Sequence, residues 1–148
     1  MLRVLALAGI MAGSSFLAAC AVFSPFGMLS PTECMTRVMY FESNRSSAEG
    51  MLAVGTVVMN RVGDRNYPNS VCGVIGQPNQ FAPGVLWKKM SEGRSQALAR
   101  QMAERVLRGE RHPGVRDAKF FHTAGLSFPY KNMHYVLVAG GNAFYEKR

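Results

Sequence analysis

The chain of 148 residues is long enough to form one domain of ordinary size with its own hydrophobic core. Hydrophobic residues make up 48% of it and charged residues 18%, a composition that excludes a disordered chain. Its 17 Lys and Arg against nine Asp and Glu give a net charge of +8. This charge favours an anionic partner, such as acidic lipid or the carboxylate-rich polymer of the bacterial wall. The basic residues are too scattered along the chain to indicate nucleic-acid binding.

Residues 1–19 are predicted to be the signal peptide of a lipoprotein. Met1-Leu2-Arg3 supplies a positive start, and the apolar run from Val4 to Ala12 is too short to span a bilayer comfortably. Leu17-Ala18-Ala19-Cys20 resembles a bacterial lipobox, which implies that Cys20 is acylated, becomes the first residue of the mature protein and anchors it to a membrane. An ordinary secretory signal cut near Ala19 is the alternative interpretation.

Residues 20–29 are predicted to be the lipidated cysteine and a tether, since Pro25 and Gly27 interrupt this short segment. Export to an oxidising compartment leaves Cys34 and Cys72 as an even pair, for which a disulfide is the natural assignment. A metal site is the rival interpretation, but neither cysteine has a His or Cys at ligand spacing. Residues 30–148 then form the folded domain, for which no cofactor is expected.

The first helix of that domain is predicted to begin directly after Ser30. Ser30-Pro31-Thr32-Glu33 has the capping-box pattern, with proline at the first helical position. Apolar residues recur at helical spacing from Cys34 to Met39, and Glu42 continues the same stripe near the end of the helix.

A glutamate on a core-facing stripe is costly when it is ionised. The pKa of Glu42 is therefore expected to rise, which would suit a general acid. The alternative is that an arginine neutralises Glu42 in an ion pair, with Arg45 or Arg61 as the candidates. The residues alone leave both interpretations open.

A second helix is predicted from Ser47 to Arg61, with Ser46 as its N-cap and Glu49 at the third helical position of another capping box. Glu49 is therefore interpreted as structural rather than catalytic. Residues 51–59 are apolar on nearly all sides, which predicts a central, buried helix that is too short to cross a bilayer.

Three later segments also carry local signals. Gly63-Asp64-Arg65-Asn66 predicts a turn in which Asp64 makes local hydrogen bonds. Residues 91–108 predict an amphipathic helix that ends at Gly109, and its inward positions are Leu98, Met102, Val106 and Leu107. Residues 135–145 predict a small hairpin around Gly140-Gly141-Asn142. The three histidines are too far apart in sequence to predict a metal site.

A set of dispersed segments between about residues 32 and 146 forms a pattern that is more specific than any single short motif. These segments are Cys34-Met35-Thr36-Arg37-Val38-Met39-Tyr40-Phe41-Glu42, Glu49-Gly50, Ala53-Val54, Val57-Val58-Met59-Asn60-Arg61-Val62, Tyr67-Pro68, Val71-Cys72-Gly73-Val74-Ile75, Gln77-Pro78, Gln80-Phe81, Ala118, Phe120-Phe121-His122, Gly141 and Phe144-Tyr145. With them the chain resembles the spore cortex-lytic cell wall hydrolase family.

The resemblance implies a single, mainly α (α+β) domain, similar to goose-type lysozyme and the soluble lytic transglycosylases, with the catalytic glutamate at the end of a helix. Glu42 occupies the matching position, and the Glu-Ser pairing that it forms with Ser43 is also seen in soluble lytic transglycosylases. The chain departs from the family pattern at Ser43-Asn44-Arg45-Ser46, where Ala-Arg-Gly-Glu is usual, at Met51, where Gln is usual, and at Asn142, where His is common.

Substrate contacts are expected from side chains that are flat or polar-tipped, namely Tyr40, Ser43, Gln77, Gln80, Phe81 and His122. The resemblance implies cleavage of peptidoglycan glycan strands between N-acetylmuramic acid and N-acetylglucosamine. A two-carboxylate hydrolase needs a partner for Glu42, and Asp64 in its turn is a poor one. A lytic transglycosylase that uses Glu42 alone as acid and base, and that leaves a 1,6-anhydro ring, is therefore favoured.

The sequence also leaves three alternative functions open. They are a catalytically weakened lipoprotein that binds peptidoglycan, a muramidase, and an amidase, although an amidase usually needs zinc or a cysteine nucleophile. The expected protein is a monomer in the cell envelope that faces the periplasm. Because Ala21 rather than Asp follows Cys20, the outer membrane is favoured if the cell has two membranes.

Overall fold

The computed structural model describes residues 29–43, 45 and 47–148. The predicted signal peptide, the lipidated Cys20, the tether up to residue 28 and the predicted cap Ser46 lie outside these residues. Within them the elements are α1 Pro31–Glu42, α2 Ala48–Val62, α3 Val71–Ile75, α4 Gly93–Leu107, a 3₁₀ turn at Pro113–Val115, β1 Phe120–Thr123, β2 Met133–Ala139 and β3 Asn142–Lys147. The predicted α+β architecture, mostly helical with a small sheet, is confirmed.

Helix α1 begins where its capping residues predict. The Ser30 hydroxyl accepts a hydrogen bond from the Glu33 N–H at 3.1 Å. The other half of the capping box does not form, because the Glu33 carboxylate pairs with Arg37 at 2.8 Å. The apolar stripe is buried as predicted, and a disulfide joins Cys34 on this helix to Cys72 on α3.

Helix α2 is the central helix of the domain, but it begins one residue later than predicted. Its N-cap is Ser47, whose hydroxyl accepts from the Gly50 N–H at 2.9 Å. Glu49 is therefore the second helical residue, not the third, and its carboxylate lies 3.3 Å from His112 instead of closing a capping box. The helix is buried on nearly all sides, and among the described residues no helix is long and apolar enough to span a bilayer.

Helix α4 packs against α1 and α2 through the face that its sequence predicts. Met102 and Val106 are buried, together with Ala99 and Ala103. Leu98 and Leu107 are only partly buried at the edge of the same face. The chain leaves the helix at Gly109, whose φ of 106° is readily adopted only by glycine.

The three strands form an antiparallel sheet in the order β1-β3-β2. The predicted hairpin is confirmed as β2 and β3, which meet at Gly140 and Gly141 with φ of 55° and 82°, as a two-residue turn with positive φ at both positions requires. Strand β1, at Phe120–Thr123, was not predicted, because four residues are too few to show a clear alternation. The inner face of the sheet packs on the helices through Phe121, Leu137, Ala139 and Phe144.

Candidate active site

Glu42 is the last residue of α1 and lies half-buried at the surface of the helical core. The helix ends there because Ser43 turns the chain into an extended conformation. Both the backbone N–H and the hydroxyl of Ser43 donate to the Met39 carbonyl, at 3.3 and 2.7 Å. These two hydrogen bonds fix the end of α1, from which the Glu42 side chain projects.

The Glu42 carboxyl is held by a main-chain donor. The Ala82 N–H, in the loop that follows α3, donates to Oε1 of Glu42. Burial raises the pKa of Glu42 above the usual value of a glutamate, while the Ala82 N–H and the positive charge of Arg61 act in the opposite direction. Burial has the largest effect, so the site favours a carboxyl that retains its proton to a higher pH.

Neither candidate arginine forms an ion pair with Glu42. Arg45 pairs with Glu92, and its guanidinium lies 4.8 Å from the ring centre of Tyr40. Arg61 is buried, and its Nε donates to the Lys119 carbonyl at 2.8 Å. Among the described residues, Arg61 is the only charged group that acts on the Glu42 carboxyl, and it does so through space. Of the two interpretations that the sequence left open, the structure supports the unpaired glutamate.

Arg61 lies among aromatic rings beside the Glu42 site. Its guanidinium is 5.0 Å from the ring centre of Phe81 and 5.4 Å from that of Tyr67. Within the described part of the chain, its Nη1 is buried without a hydrogen-bond partner. Burial lowers the pKa of Arg61, but an arginine remains protonated in such a site. A fixed positive charge thus lies close to Glu42 without neutralising it.

Asn142, at the start of β3, connects the sheet to the end of α1. It is buried, and its Nδ2 donates to the backbone carbonyl of Glu42. Sequence reasoning identified Asn142 only as a departure from the family pattern, and it missed Ala82 because a backbone donor has no side-chain signature. The structure brings both to Glu42 from distant parts of the chain.

Tyr40 is packed inside the fold, which argues against its predicted contact with substrate. The residue is 1% exposed. Its hydroxyl accepts from the backbone N–H groups of Ser91 and Glu92, at 3.2 and 3.1 Å, just before α4. Its ring is buried in the core, and its hydroxyl links α1 to the start of α4.

Three of the other predicted contact residues share the loop that carries Ala82. Gln77 and Phe81 are half-buried, whereas Gln80 is exposed. The loop encloses a concavity of about 240 Å³ that Gln77, Phe81 and Ala82 help to line. The structure therefore gathers these side chains near Glu42, and their contact with substrate stays a prediction. The Ser43 hydroxyl is occupied by the Met39 carbonyl, and a role for Ser43 in binding stays a prediction as well.

His122 lies on β1, within a cluster of aromatic rings. Its Nε2 is 2.8 Å from the Tyr135 hydroxyl, and its Nδ1 is 2.8 Å from the Thr123 carbonyl. The imidazole meets the Phe128 ring edge-on at 4.7 Å between ring centres. His122 thus belongs to the sheet rather than to the Glu42 loop.

Asp64 makes the local contacts that its turn predicts. Its Oδ1 accepts from the Asn66 N–H at 2.9 Å, and its Oδ2 pairs with Lys119 at 3.1 Å. The Asn66 N–H is the main reason that the pKa of Asp64 lies below its usual value, and Lys119 acts in the same direction. In the described ranges, no three His, Cys, Asp or Glu side chains form a group that could hold a metal ion.

Two solved structures share this fold. The catalytic domain of the Bacillus cereus SleB protein has a TM-score of 0.63 at 24% identity, over 78% of this chain and 89% of that one. The catalytic domain of the germination-specific lytic transglycosylase SleB from Bacillus anthracis has a TM-score of 0.62 at 23% identity, over 85% of this chain and 98% of that one. At these identities the likeness establishes the fold.

Curated relatives match a shorter part of the chain. A spore cortex-lytic enzyme of Oceanobacillus iheyensis is 30% identical over 69 residues, which is 45% of this chain and 25% of the relative. One from Bacillus cereus is 33% identical over 69 residues, again 45% of this chain and 27% of the relative. The chain thus spans about a quarter of the length of these relatives.

The family model described as cell wall hydrolase matches residues 45–145, beginning just after Glu42. This range covers most of the chain and takes in the Ala82 loop, Arg61, His122 and Asn142. The predicted family is therefore confirmed: the chain belongs to the cell wall hydrolase family.

Proposed function

We propose that this protein is an enzyme that cleaves peptidoglycan glycan strands between N-acetylmuramic acid and N-acetylglucosamine, with Glu42 as its single acid and base. The observation that carries the proposal is the environment of Glu42. It is a half-buried carboxyl at the end of a helix, held by one main-chain donor, with a raised pKa and no ion pair among the described residues. The names of the relatives, spore cortex-lytic enzymes and a lytic transglycosylase, support the same substrate.

The proposed reaction needs no second carboxylate. Protonated Glu42 donates its proton to the glycosidic oxygen as the bond from that oxygen to C1 of the muramic acid breaks. The resulting carboxylate accepts the proton of the 6-hydroxyl of the same sugar, whose oxygen bonds to C1 and closes a 1,6-anhydro ring. The 6-hydroxyl takes the place of an attacking water. Because it is part of the substrate, its effective concentration at C1 is high. Each turnover returns Glu42 to its protonated form.

The surroundings of Glu42 suit both halves of this cycle. Burial favours the protonated acid before the bond breaks, whereas the Ala82 N–H and the charge of Arg61 stabilise the carboxylate formed afterwards. Asp64 is engaged by Asn66 and Lys119, which argues against its use as the partner of a two-carboxylate hydrolase. The proposed likeness to goose-type lysozyme rests on the same placement of a glutamate at the end of a helix.

Digestion of purified sacculi tests the proposal. The full chain is expected to release muropeptides with 1,6-anhydro ends, identified by mass spectrometry, and Glu42→Gln is expected to release none. Reducing ends instead would indicate a muramidase, and free stem peptides an amidase. Retained binding without any product from the unaltered chain would contradict enzymatic activity and favour a peptidoglycan-binding protein.

We further propose that the protein is an envelope lipoprotein, attached through an acylated Cys20 and facing the periplasm, with the outer membrane favoured where two membranes exist. The support is the lipobox at Leu17-Ala18-Ala19-Cys20 and the absence of Asp after it. Growth with labelled palmitate is expected to label the unaltered chain and not Cys20→Ser. Label retained in Cys20→Ser would contradict the proposal.

A further inference from the structure

The outer face of the sheet carries a basin that takes no part in the proposed proton transfers at Glu42, although His122, a predicted substrate contact, lines it. The rings of His122, Phe128, Tyr130 and Tyr145 form its walls, and Asn132, Met133 and Lys147 complete the lining around about 310 Å³ of space. We call this the outer basin. Strand register explains it, because Tyr145 on β3 pairs with Phe120 on β1 and with Tyr135 on β2, so that aromatic side chains gather on one face.

The aromatic rings of the outer basin are accessible to a ligand. Phe128 is 40% exposed and Tyr130 66% exposed, and their rings stack 6.4 Å apart. Tyr145 lies 5.8 Å from the imidazole of His122. Exposed aromatic rings around a concavity are a common feature of binding sites, because their faces pack well against flat or apolar parts of a ligand.

The outer basin also carries an unpaired positive charge. The Lys147 ammonium lies 4.4 Å from the ring centre of Phe120, and it forms no ion pair with any carboxylate in the described part of the chain. The neighbouring Glu146 is engaged by Arg148 at 2.6 Å. The ammonium can donate hydrogen bonds to a neutral sugar, but a carboxylate also gains from its charge.

The outer basin adjoins the Glu42 site through Arg61. The charge of Arg61 acts on both the Glu42 carboxyl and the Tyr145 hydroxyl, and its guanidinium lies 5.9 Å from the ring centre of Phe120. Phe120 in turn stacks on Tyr145 at 5.5 Å. A glycan strand bound at Glu42 could therefore place a substituent of a nearby sugar in the outer basin.

We propose that the outer basin binds the acidic stem peptide carried by a muramic acid near the cleaved bond, with the rings packing against the peptide and Lys147 pairing with one of its carboxylates. This inference rests on the proposed function. It adds that the enzyme discriminates between peptide-bearing and bare glycan strands. Three observations support it. The rings are exposed, Lys147 has no ion pair within the described part of the chain, and Phe120 alone separates Arg61 from the ring of Tyr145.

The test compares two forms of the same glycan strands, one with stem peptides and one from which an amidase has removed them. The full chain is expected to cleave peptide-bearing strands with a kcat/KM about two- to fivefold higher, the range for one partly exposed charge pair. Lys147→Gln is expected to lower this preference without changing cleavage of bare strands, and Lys147→Arg is expected to retain it. High salt is expected to weaken the preference in the unaltered chain.

A matched control tests whether the position of the lysine matters, or only the loss of one positive charge. Lys89→Gln removes an exposed lysine outside the outer basin and is expected to retain the preference. An equal rate on both substrates by the unaltered chain would overturn the proposal, as would an equal loss on both substrates in Lys147→Gln. The proposed function would stand in either case.

A binding measurement tests the outer basin even if the chain cleaves neither substrate. Glu42→Gln is titrated with a soluble peptide-bearing disaccharide and with the same disaccharide without its peptide. Binding that is tighter with the peptide, and weakened about two- to fivefold by adding Lys147→Gln, would support the outer basin even if the proposed cleavage failed. Equal affinity for both disaccharides would overturn it.

Discussion

At the end of α1, the Glu42 carboxyl and the Glu42 carbonyl are both held by neutral groups. The Ala82 N–H contacts the carboxyl, and the Asn142 amide contacts the carbonyl. Neutral donors orient the residue without the strong stabilisation of the charged form that an ion pair would give. The carboxyl can therefore be positioned and still hold a proton.

The raised pKa of Glu42 predicts a stability that depends on pH. The Glu42 carboxyl has a higher pKa in the folded state than in the unfolded state. Between these two pKa values the folded state therefore binds more protons than the unfolded state. The free energy of unfolding falls as the pH rises through this range. Glu42→Gln keeps the shape and the acceptor for Ala82 but buries no charge. It is expected to unfold at a higher temperature than the unaltered chain at pH 7, and the difference is expected to shrink towards pH 4.

Thermal unfolding followed by circular dichroism from pH 4 to pH 8 measures this difference. The control is Glu104→Gln, a half-exposed glutamate that pairs with Arg100 on α4 at 3.4 Å and is expected to change the unfolding temperature little. A Glu42→Gln variant less stable than the unaltered chain at pH 7 would show that burial does not dominate at this site.

Asn142 is expected to act as a positioning residue for Glu42. Asn142→Ala removes the donor to the Glu42 carbonyl at the end of α1, which is expected to cost about 1 to 2 kcal/mol of stability. If the end of the helix shifts as a result, release of muropeptides is expected to fall on the order of tenfold. The rate is measured where both proteins are fully folded.

Asn60 offers a matched control for this effect. Its Nδ2 donates to the Arg116 and Ala118 carbonyls, both at 2.9 Å, and none of these groups contacts Glu42. Asn60→Ala is expected to lose a similar amount of stability while keeping its activity. Equal activity losses in the two variants would mean that Asn142 acts on the fold as a whole.

Among the elements, the start of α2 and the β2–β3 turn approach each other through two glycines. A Cβ on Gly50 would lie 2.4 Å from Cα of Gly140, and one on Gly140 would lie 2.5 Å from Cα of Gly50. No side chain can occupy either position without moving backbone. Asn142 follows this turn directly, so the contact between the two glycines also determines how closely Asn142 approaches Glu42.

Gly50→Ala is expected to separate these two elements. The added methyl group overpacks a backbone contact, and the expected loss of stability is about 1 to 3 kcal/mol in chemical denaturation. The control is Gly93→Ala, at the first position of α4, where a Cβ meets nothing within 4 Å and alanine is expected to be neutral or slightly stabilising. Equal unfolding midpoints for Gly50→Ala and the unaltered chain would contradict the close approach.

Across the whole molecule, the disulfide ties the helix that carries Glu42 to the helix that precedes the Ala82 loop. It joins Cys34 on α1 to Cys72 on α3 over a separation of 38 residues. The cross-link therefore spans the two segments that meet at the Glu42 carboxyl, in addition to restricting the unfolded chain.

Removing this cross-link is expected to destabilise the protein by about 4 kcal/mol on the chain-entropy model. The double variant Cys34→Ala and Cys72→Ala, measured by denaturant unfolding, is expected to show this loss. A reductant is expected to lower the stability of the unaltered chain by a similar amount and to leave the double variant unchanged. A reductant effect of the same size in the double variant would point to Cys20 instead.

Local signals predicted the parts of the fold that depend on residues close together in the chain. Ser30 and Pro31 start α1, the apolar stripe leads to Glu42, and Gly140-Gly141 forms the turn of the hairpin. Two neighbouring serines can each cap α2. The predicted N-cap is Ser46, whereas the N-cap in the structure is Ser47. Strand β1 was not predicted, because it is too short to have a pattern of its own.

Capping, turn geometry and hydrophobic periodicity act over a few residues, so local signals predict α1, α2, α4 and the hairpin, but not the five-residue α3. The family was predicted from the resemblance of dispersed segments, not from these local rules. The groups that surround Glu42, in contrast, follow from the tertiary structure. Ala82 and Asn142 lie 40 and 100 residues away from it, and Tyr40, two positions before it, is used inside the core. Those contacts follow from how the loop and the sheet pack on α1, so they depend on side-chain volumes and chain direction that no local pattern records.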